Sequence, residues 1–151
     1  MKLATLLALA GALIAGFFVA IQPGVNGQLT AKLGSPLRAG VVSFFVGCSS
    51  ITFISLISGH GLPRPSNLST LPPWMYLGGG MLGAVFVTTA MIVAPRIGAT
   101  YWVGLVVLGQ MLCSVILDHN GWLGFEQRPI DIGRVLAIGL ILGGVLLIAR
   151  R

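Results

Sequence analysis

Five apolar runs, each long enough to cross a bilayer, constrain this 151-residue chain more than any other feature. They cover about residues 3–22, 37–58, 74–94, 98–117 and 132–149. A hydrocarbon core about 30 Å thick needs roughly 17 to 25 residues of helix. The remaining sequence is too short and too polar to bury so much apolar surface, so the lipid must be its solvent. The chain therefore reads as an all-α, polytopic membrane protein with five transmembrane helices, in a single membrane domain over residues 1–151. Composition agrees: 56% of residues are hydrophobic and 8% are charged, about one third of the charge of an ordinary soluble domain.

The charged residues fall between or beside these runs, where hydropathy requires them. A formal charge of +6 would point to nucleic acid in a soluble chain. Spread thinly over membrane flanks, it reads instead as topology and headgroup signals, with no nucleic-acid partner. The segment Gly59–Pro73, "GHGLPRPSNLSTLPP", is a connecting loop too polar to hold a core. Asp118–Asp131, "DHNGWLGFEQRPID", carries all three acids, with Trp122 and Phe125 as interfacial anchors. Spans 3 and 4 are joined only by "APRIGA", which predicts a tight helical hairpin.

Two features of the first run compete. Lys2 ahead of an apolar core with small residues resembles a cleavable signal peptide, but the run continues through "LIAGFFVAI" without a break, which favours a retained helix. Cys48 and Cys113 lie inside spans 2 and 4 and read as small packing residues, with no disulfide framework and no metal site. Glycines at helix-packing spacing, Gly79 with Gly83, Gly139 with Gly143, Gly11 with Gly16 and Gly104 with Gly109, predict close backbone approach within a bundle.

Five spans put the two termini on opposite sides, so basic residues sort into two sets. Lys2, Arg64, Arg128 and Arg134 give four on one side; Lys32, Arg38, Arg96, Arg150 and Arg151 give five on the other. An excess of Lys and Arg normally sets orientation, and here it is one residue. Either one orientation prevails through the first helix, or the chain inserts both ways and pairs with an inverted copy of itself. The second reading would build the inverted repeats of many secondary transporters, whose sites lie near the midplane.

Polar residues at membrane depth are the candidate site. In "AIQPGVNGQL", Ala20–Leu29, Gln22 and Asn26 are four residues apart and share a face if the helix continues past Pro23. In one geometry the span ends at Ile21 and the amides belong to an interfacial loop. In the other, the helix kinks at Pro23, continues to about Leu33, and turns Gln22 and Asn26 toward a cavity. Gln110, near the middle of span 4, must find a hydrogen-bond partner, because an unpaired amide in hydrocarbon costs several kcal/mol. Trp102, Val106, Gly109, Gln110 and Cys113 fall within an arc of roughly 100° on that helix. Tyr101 and Trp102 serve either as interfacial belt residues or as aromatic walls of a pocket. Thr88, Thr89, Ser43, Ser49, Ser50 and Thr52 are expected to bond back to their own helix carbonyls. No Asp, Glu, Lys, Arg or His lies in the centre of a span, which argues against proton-for-cation exchange through a buried carboxylate.

With these residues assembled, the chain resembles the YdcZ-like family of small five-span proteins in the drug/metabolite transporter superfamily. The resemblance rests on "QPGVNGQLTAKLGSPLRAGVVSFFVG", on "PPWMYLGGGMLGAVFV" and on "APRIGATYWVGLVVLGQMLCSVILDHNGWLGF". It implies a half-size transporter that assembles in antiparallel fashion in a bacterial inner membrane. The superfamily's small multidrug exporters carry an essential glutamate in their first helix. This chain has none there, so their mechanism does not transfer.

The leading expectation is thus a small-molecule transporter, most simply an exporter, acting as an inverted homodimer by alternating access. Its substrate is a small polar or zwitterionic solute bound by Gln22, Asn26 and Gln110, with Trp102 and Tyr101 as walls; no cofactor is expected. The alternative is an accessory or structural membrane subunit without transport activity. An enzyme is not expected, because nucleophile, base and metal ligands are not gathered in one place.

Overall fold

The computed structural model describes residues 3–150, so Lys2 and Arg151 of the charge count lie outside it. The described residues contain five long helices: α1 (Leu3–Leu33), α2 (Pro36–Ile57), α4 (Pro73–Ile97), α5 (Ala99–Asn120) and α6 (Ile132–Ala149). A short α3 (Pro65–Ser69) lies in the loop before α4, and a 3-10 turn, Trp122–Gly124, follows α5. All five long helices are long and apolar enough to cross a membrane.

The largest departure from the expected boundaries is in α1. It runs unbroken for 31 residues, past the Ile21 or Gln22 at which a loop reading ends it. At a rise of 1.5 Å per residue that is about 46 Å of helix, longer than the hydrocarbon core. Pro23 lies inside the helix and is itself buried; it leaves the carbonyl of Val19 without its helical donor. The other four spans start and stop within three residues of expectation.

The stop after Leu33 is chemically explicit. Gly34 has φ of +68°, a left-handed conformation that only glycine adopts without penalty at a helix C-terminus. Ser35 then caps α2, its Oγ accepting from the Arg38 amide at 3.5 Å, and Pro36 occupies the first turn where its missing donor costs nothing. The two-residue turn makes α1 and α2 an antiparallel hairpin whose helices pack on each other. Between α4 and α5 only Gly98 intervenes, with φ of +87°.

The chain forms two compact units, Met1–Pro95 and Arg96–Arg151. The first has a small core in which Ala39, Val87 and Met91 are buried, with Leu29, Leu33 and Phe86 packed against them. Close approach uses glycine: a Cβ on Gly27 would lie 3.3 Å from Pro95 Cγ, and one on Gly40 would lie 3.5 Å from Met91 Cε.

In the second unit α5 packs on α6. A Cβ on Gly104 would come within 3.1 Å of Val145 Cγ2, so the missing side chain sets that approach. A polar clasp closes the far end. Arg134 reaches Asp118 Oδ2 at 3.3 Å and Asp131 Oδ2 at 3.4 Å, and donates to the carbonyl of Arg128 at 3.2 Å. The Arg128 amide donates to the Asp118 carbonyl at 2.7 Å, and the Ile130 amide donates to His119 Nδ1 at 3.3 Å. Asp131 caps α6, its Oδ1 accepting from the Arg134 amide at 3.1 Å. Asp118 is therefore engaged by this clasp. Outside it, Arg128 holds Glu126 at 2.8 Å; that hydrogen bond, and then the guanidinium charge, keep the Glu126 carboxyl below its ordinary range.

Of the eight glycines expected to pack helices, Gly83 and Gly104 meet a neighbour; a Cβ on Gly83 would lie 3.7 Å from Phe44 Cζ. A Cβ on Gly11, Gly16, Gly79, Gly109, Gly139 or Gly143 would meet nothing within 4 Å among the described residues. Those faces are open in the single chain.

Candidate functional site

The amide pair of α1 separates into two roles. Asn26 is 6% exposed, the one buried polar side chain among the described residues. Its Oδ1 accepts from Ser43 Oγ of α2 at 3.2 Å. Four residues on, Thr30 Oγ1 lies 2.9 Å from the Asn26 carbonyl and 3.5 Å from Met91 Sδ of α4. Asn26 thus ties α1 to α2, and Thr30 ties the same stretch of α1 to α4. Such a bond is worth more than its modest value in water, because the alternative in lipid is an unsatisfied amide.

Gln22, one turn earlier, is exposed and borders a cavity of about 460 Å³ within the first unit. Ser43, Phe44, Gly47, Cys48, Ile51 and Thr52 of α2 and Val87 of α4 form the rest of its wall. Asn26 does not border the cavity; it stands behind Ser43 and orients it. Ser43 therefore breaks the expectation that it bonds back to its own helix, whereas Ser50 follows it, donating to the Val46 carbonyl at 2.8 Å. Cys48, expected as a packing residue, is exposed at the cavity wall. The signal available in the sequence was the spacing of Ser43, Gly47 and Ile51, which puts them on one face of α2.

Gln110, Trp102 and Tyr101 belong to the second unit. Trp102 is buried and Tyr101 half-buried at the start of α5. Gln110 lies at the middle of the 22-residue α5 and is exposed. Its amide bonds to no other group among the described residues. The face shared by Trp102, Val106, Gln110 and Cys113 thus passes from buried to exposed along the helix. These side chains offer hydrogen bonding and apolar contact; no group of three or more His, Cys, Asp or Glu gathers among the described residues.

Among known families the chain matches the one described as "Putative inner membrane exporter, YdcZ", over residues 7–147. Neither the curated proteins nor the solved structures gave a match. The family match reaches into all five spans, and includes the α1 extension with Gln22 and Asn26, the α2 wall of the cavity and the whole of α5. A chain with five membrane-spanning helices, amides in place of charges at membrane depth and that extent of family match is a multi-pass inner-membrane protein of transporter type, and it belongs to the YdcZ family of inner membrane exporters.

Proposed function

We propose that the protein exports a small uncharged or zwitterionic solute by alternating access, as a homodimer of two copies inserted in opposite orientations. The observation that carries this reading is Gln110. It sits at the centre of a membrane-spanning helix, exposed, with its side-chain amide bonded to no other group among the described residues. An amide so placed in hydrocarbon costs several kcal/mol, and a second copy removes that cost. In an inverted pair, residues at mid-helix are the ones that return to the same depth, so two copies of Gln110 meet one solute path. The charge count of four against five supports insertion both ways, and the open glycine faces at Gly139 and Gly143 leave surface for a partner.

In this reading Gln22 and Gln110 exchange hydrogen bonds with the solute, Asn26 holds α1 to α2 behind the cavity wall, and Trp102 and Tyr101 pack on the solute's apolar part. The open glycine faces also suit a structural subunit that holds another protein; solute movement by the purified protein separates the two. The test is flux in proteoliposomes with a panel of radiolabelled neutral and zwitterionic solutes. Gln110→Ala and Asn26→Ala are expected to lower flux at least tenfold while Gln28→Ala leaves it unchanged. Folded, dimeric Gln110→Ala and Asn26→Ala proteins that match the parent would refute the site.

A further inference from the structure

We propose that the cavity of the first unit binds a neutral small molecule with a mainly apolar body and one hydroxyl or N–H group, held between Ser43 as acceptor and Gln22 as donor. The assignment rests on the exporter reading above, takes this cavity, which shares Gln22 with that site, to be where the first unit holds the solute, and narrows its substrate class.

The volume, about 460 Å³, falls in the range of about 300–1,000 Å³ typical of small-molecule sites. Phe44, Ile51 and Val87 make most of the wall apolar. Among the described residues no charged side chain borders it, so an ion entering would lose its hydration without a counter-charge. That selects against cations and against zwitterions.

The polar groups are directional. Ser43 has a single hydroxyl proton, and it is directed to Asn26 Oδ1 at 3.2 Å. Asn26 is more than nine-tenths buried, so this partner is fixed and Ser43 faces the cavity with lone pairs only. Gln22 is exposed at the wall and bonds to no other group among the described residues, leaving its amide free to donate. A hydroxyl group answers both, giving its proton to Ser43 and accepting from Gln22. A pure hydrocarbon answers neither.

Gly47 provides the control. It borders the cavity, and a Cβ there would meet nothing within 4 Å. A leucine at this helical position occupies the cavity while improving helix propensity, so Gly47→Leu is expected to fold.

The experiment follows thermal unfolding of the purified full-length protein in detergent during titration with 2-naphthol, naphthalene and 2-naphthyltrimethylammonium. A ligand of the folded state raises the midpoint with concentration. The expected result is a saturable rise with 2-naphthol that is absent in Gly47→Leu. Its apparent affinity falls about tenfold in Ser43→Ala, the loss of roughly one hydrogen bond. Naphthalene binds about tenfold more weakly than 2-naphthol, and the ammonium gives no saturable rise. Comparison with Gly47→Leu removes any effect of probe dissolved in the micelle; should that variant not fold, Ser43→Ala and the probe series still decide. Equal binding of naphthalene would mean an acyl-chain groove and would overturn the proposal. So would equal binding of the cation, an undiminished response in Gly47→Leu, or no response at all. The exporter reading fails separately. Solute flux that survives Gly47→Leu sinks this site and leaves the exporter standing, and the expected binding pattern without flux of any panel solute does the reverse.

Discussion

The two halves of α1 invert what a water-soluble helix teaches. Residues 3–19 include Leu7, Leu13, Phe17 and Phe18, and every one of them is exposed in the chain. The half from Ala20 to Leu33 holds the proline, the amides and Thr30, and it is where Pro23 and Asn26 are buried. In water the first half would be the core and the second the surface. In lipid, apolar side chains lose nothing by facing the solvent, whereas each polar group must be satisfied within the protein. Pro23 and Asn26 therefore mark the packed end of the helix, and the hydrocarbon marks its free face.

This contrast can be broken most severely by a charge in the exposed half. Leu13→Arg, at a position 70% exposed, is expected to cost about 3 kcal/mol of insertion free energy near mid-span, with most of the protein lost from the membrane fraction in quantitative blots. Leu13→Ala should leave that fraction near the parent level.

In the packed half the sensitive group is the amide. Asn26→Ala is expected to lower stability by about 1–3 kcal/mol, because it removes a buried amide and leaves the half-buried Ser43 hydroxyl without its partner. Adding Ser43→Ala to it should cost little more, the signature of coupling in a double-mutant cycle followed by thermal unfolding. Phe18→Ala, in the exposed half, should change the midpoint little.

Glycines sharpen the comparison by sign. Gly27→Leu would drive a side chain into Pro95, whose Cγ already lies 3.3 Å from a Cβ at that position; overpacking of this kind costs about 1–3 kcal/mol. Gly16→Leu meets nothing within 4 Å and is expected to stabilise by about 0.5–1 kcal/mol through helix propensity. Opposite shifts in the unfolding midpoint would confirm which half is packed, and shifts of the same sign would contradict it.

The second unit offers smaller effects. Arg134 and Asp118 are 24% and 30% exposed, between a surface pair and a buried one, so Asp118→Asn is expected to cost about 1 kcal/mol. The smallest effect belongs to Glu126, fully exposed beside Arg128. Its lowered carboxyl stabilises the fold at pH values above the ordinary carboxylate range and loses that contribution as pH falls through the depressed value. Screening makes it slight: Glu126→Gln should unfold marginally below the parent at neutral pH and converge with it as the pH falls through the depressed value, in paired thermal scans.

How much of this was legible in the sequence depends on the kind of interaction. Hydropathy placed α2, α4, α5 and α6 within three residues, because apolar length is a local property. The end of α1 was ambiguous because Pro23, Gly24, Asn26 and Gly27 are loop signals in water; burial of Asn26 against Ser43, seventeen residues away, outweighs those local preferences. The true stop, Gly34–Ser35–Pro36, has the local chemistry of a helix end followed by a helix start. The amides Gln22, Asn26 and Gln110 could be picked out as unusual at membrane depth, but their separate roles depend on contacts between helices. The cavity wall from α2 was missed because a serine in a span bonds equally well to its own backbone. The clasp of Asp118 by Arg134 joins residues across an irregular loop whose path no periodicity predicts.

The claim on which the functional reading turns is insertion in both orientations. It is tested most directly by a C-terminal topology reporter active on only one side of the membrane, paired with a second active only on the other. Dual insertion predicts that both reporters are active on the parent chain, and that single basic residues added or removed near the span ends shift the population decisively to one side. One reporter active on the parent, with every charge variant still reporting that same side, would contradict it.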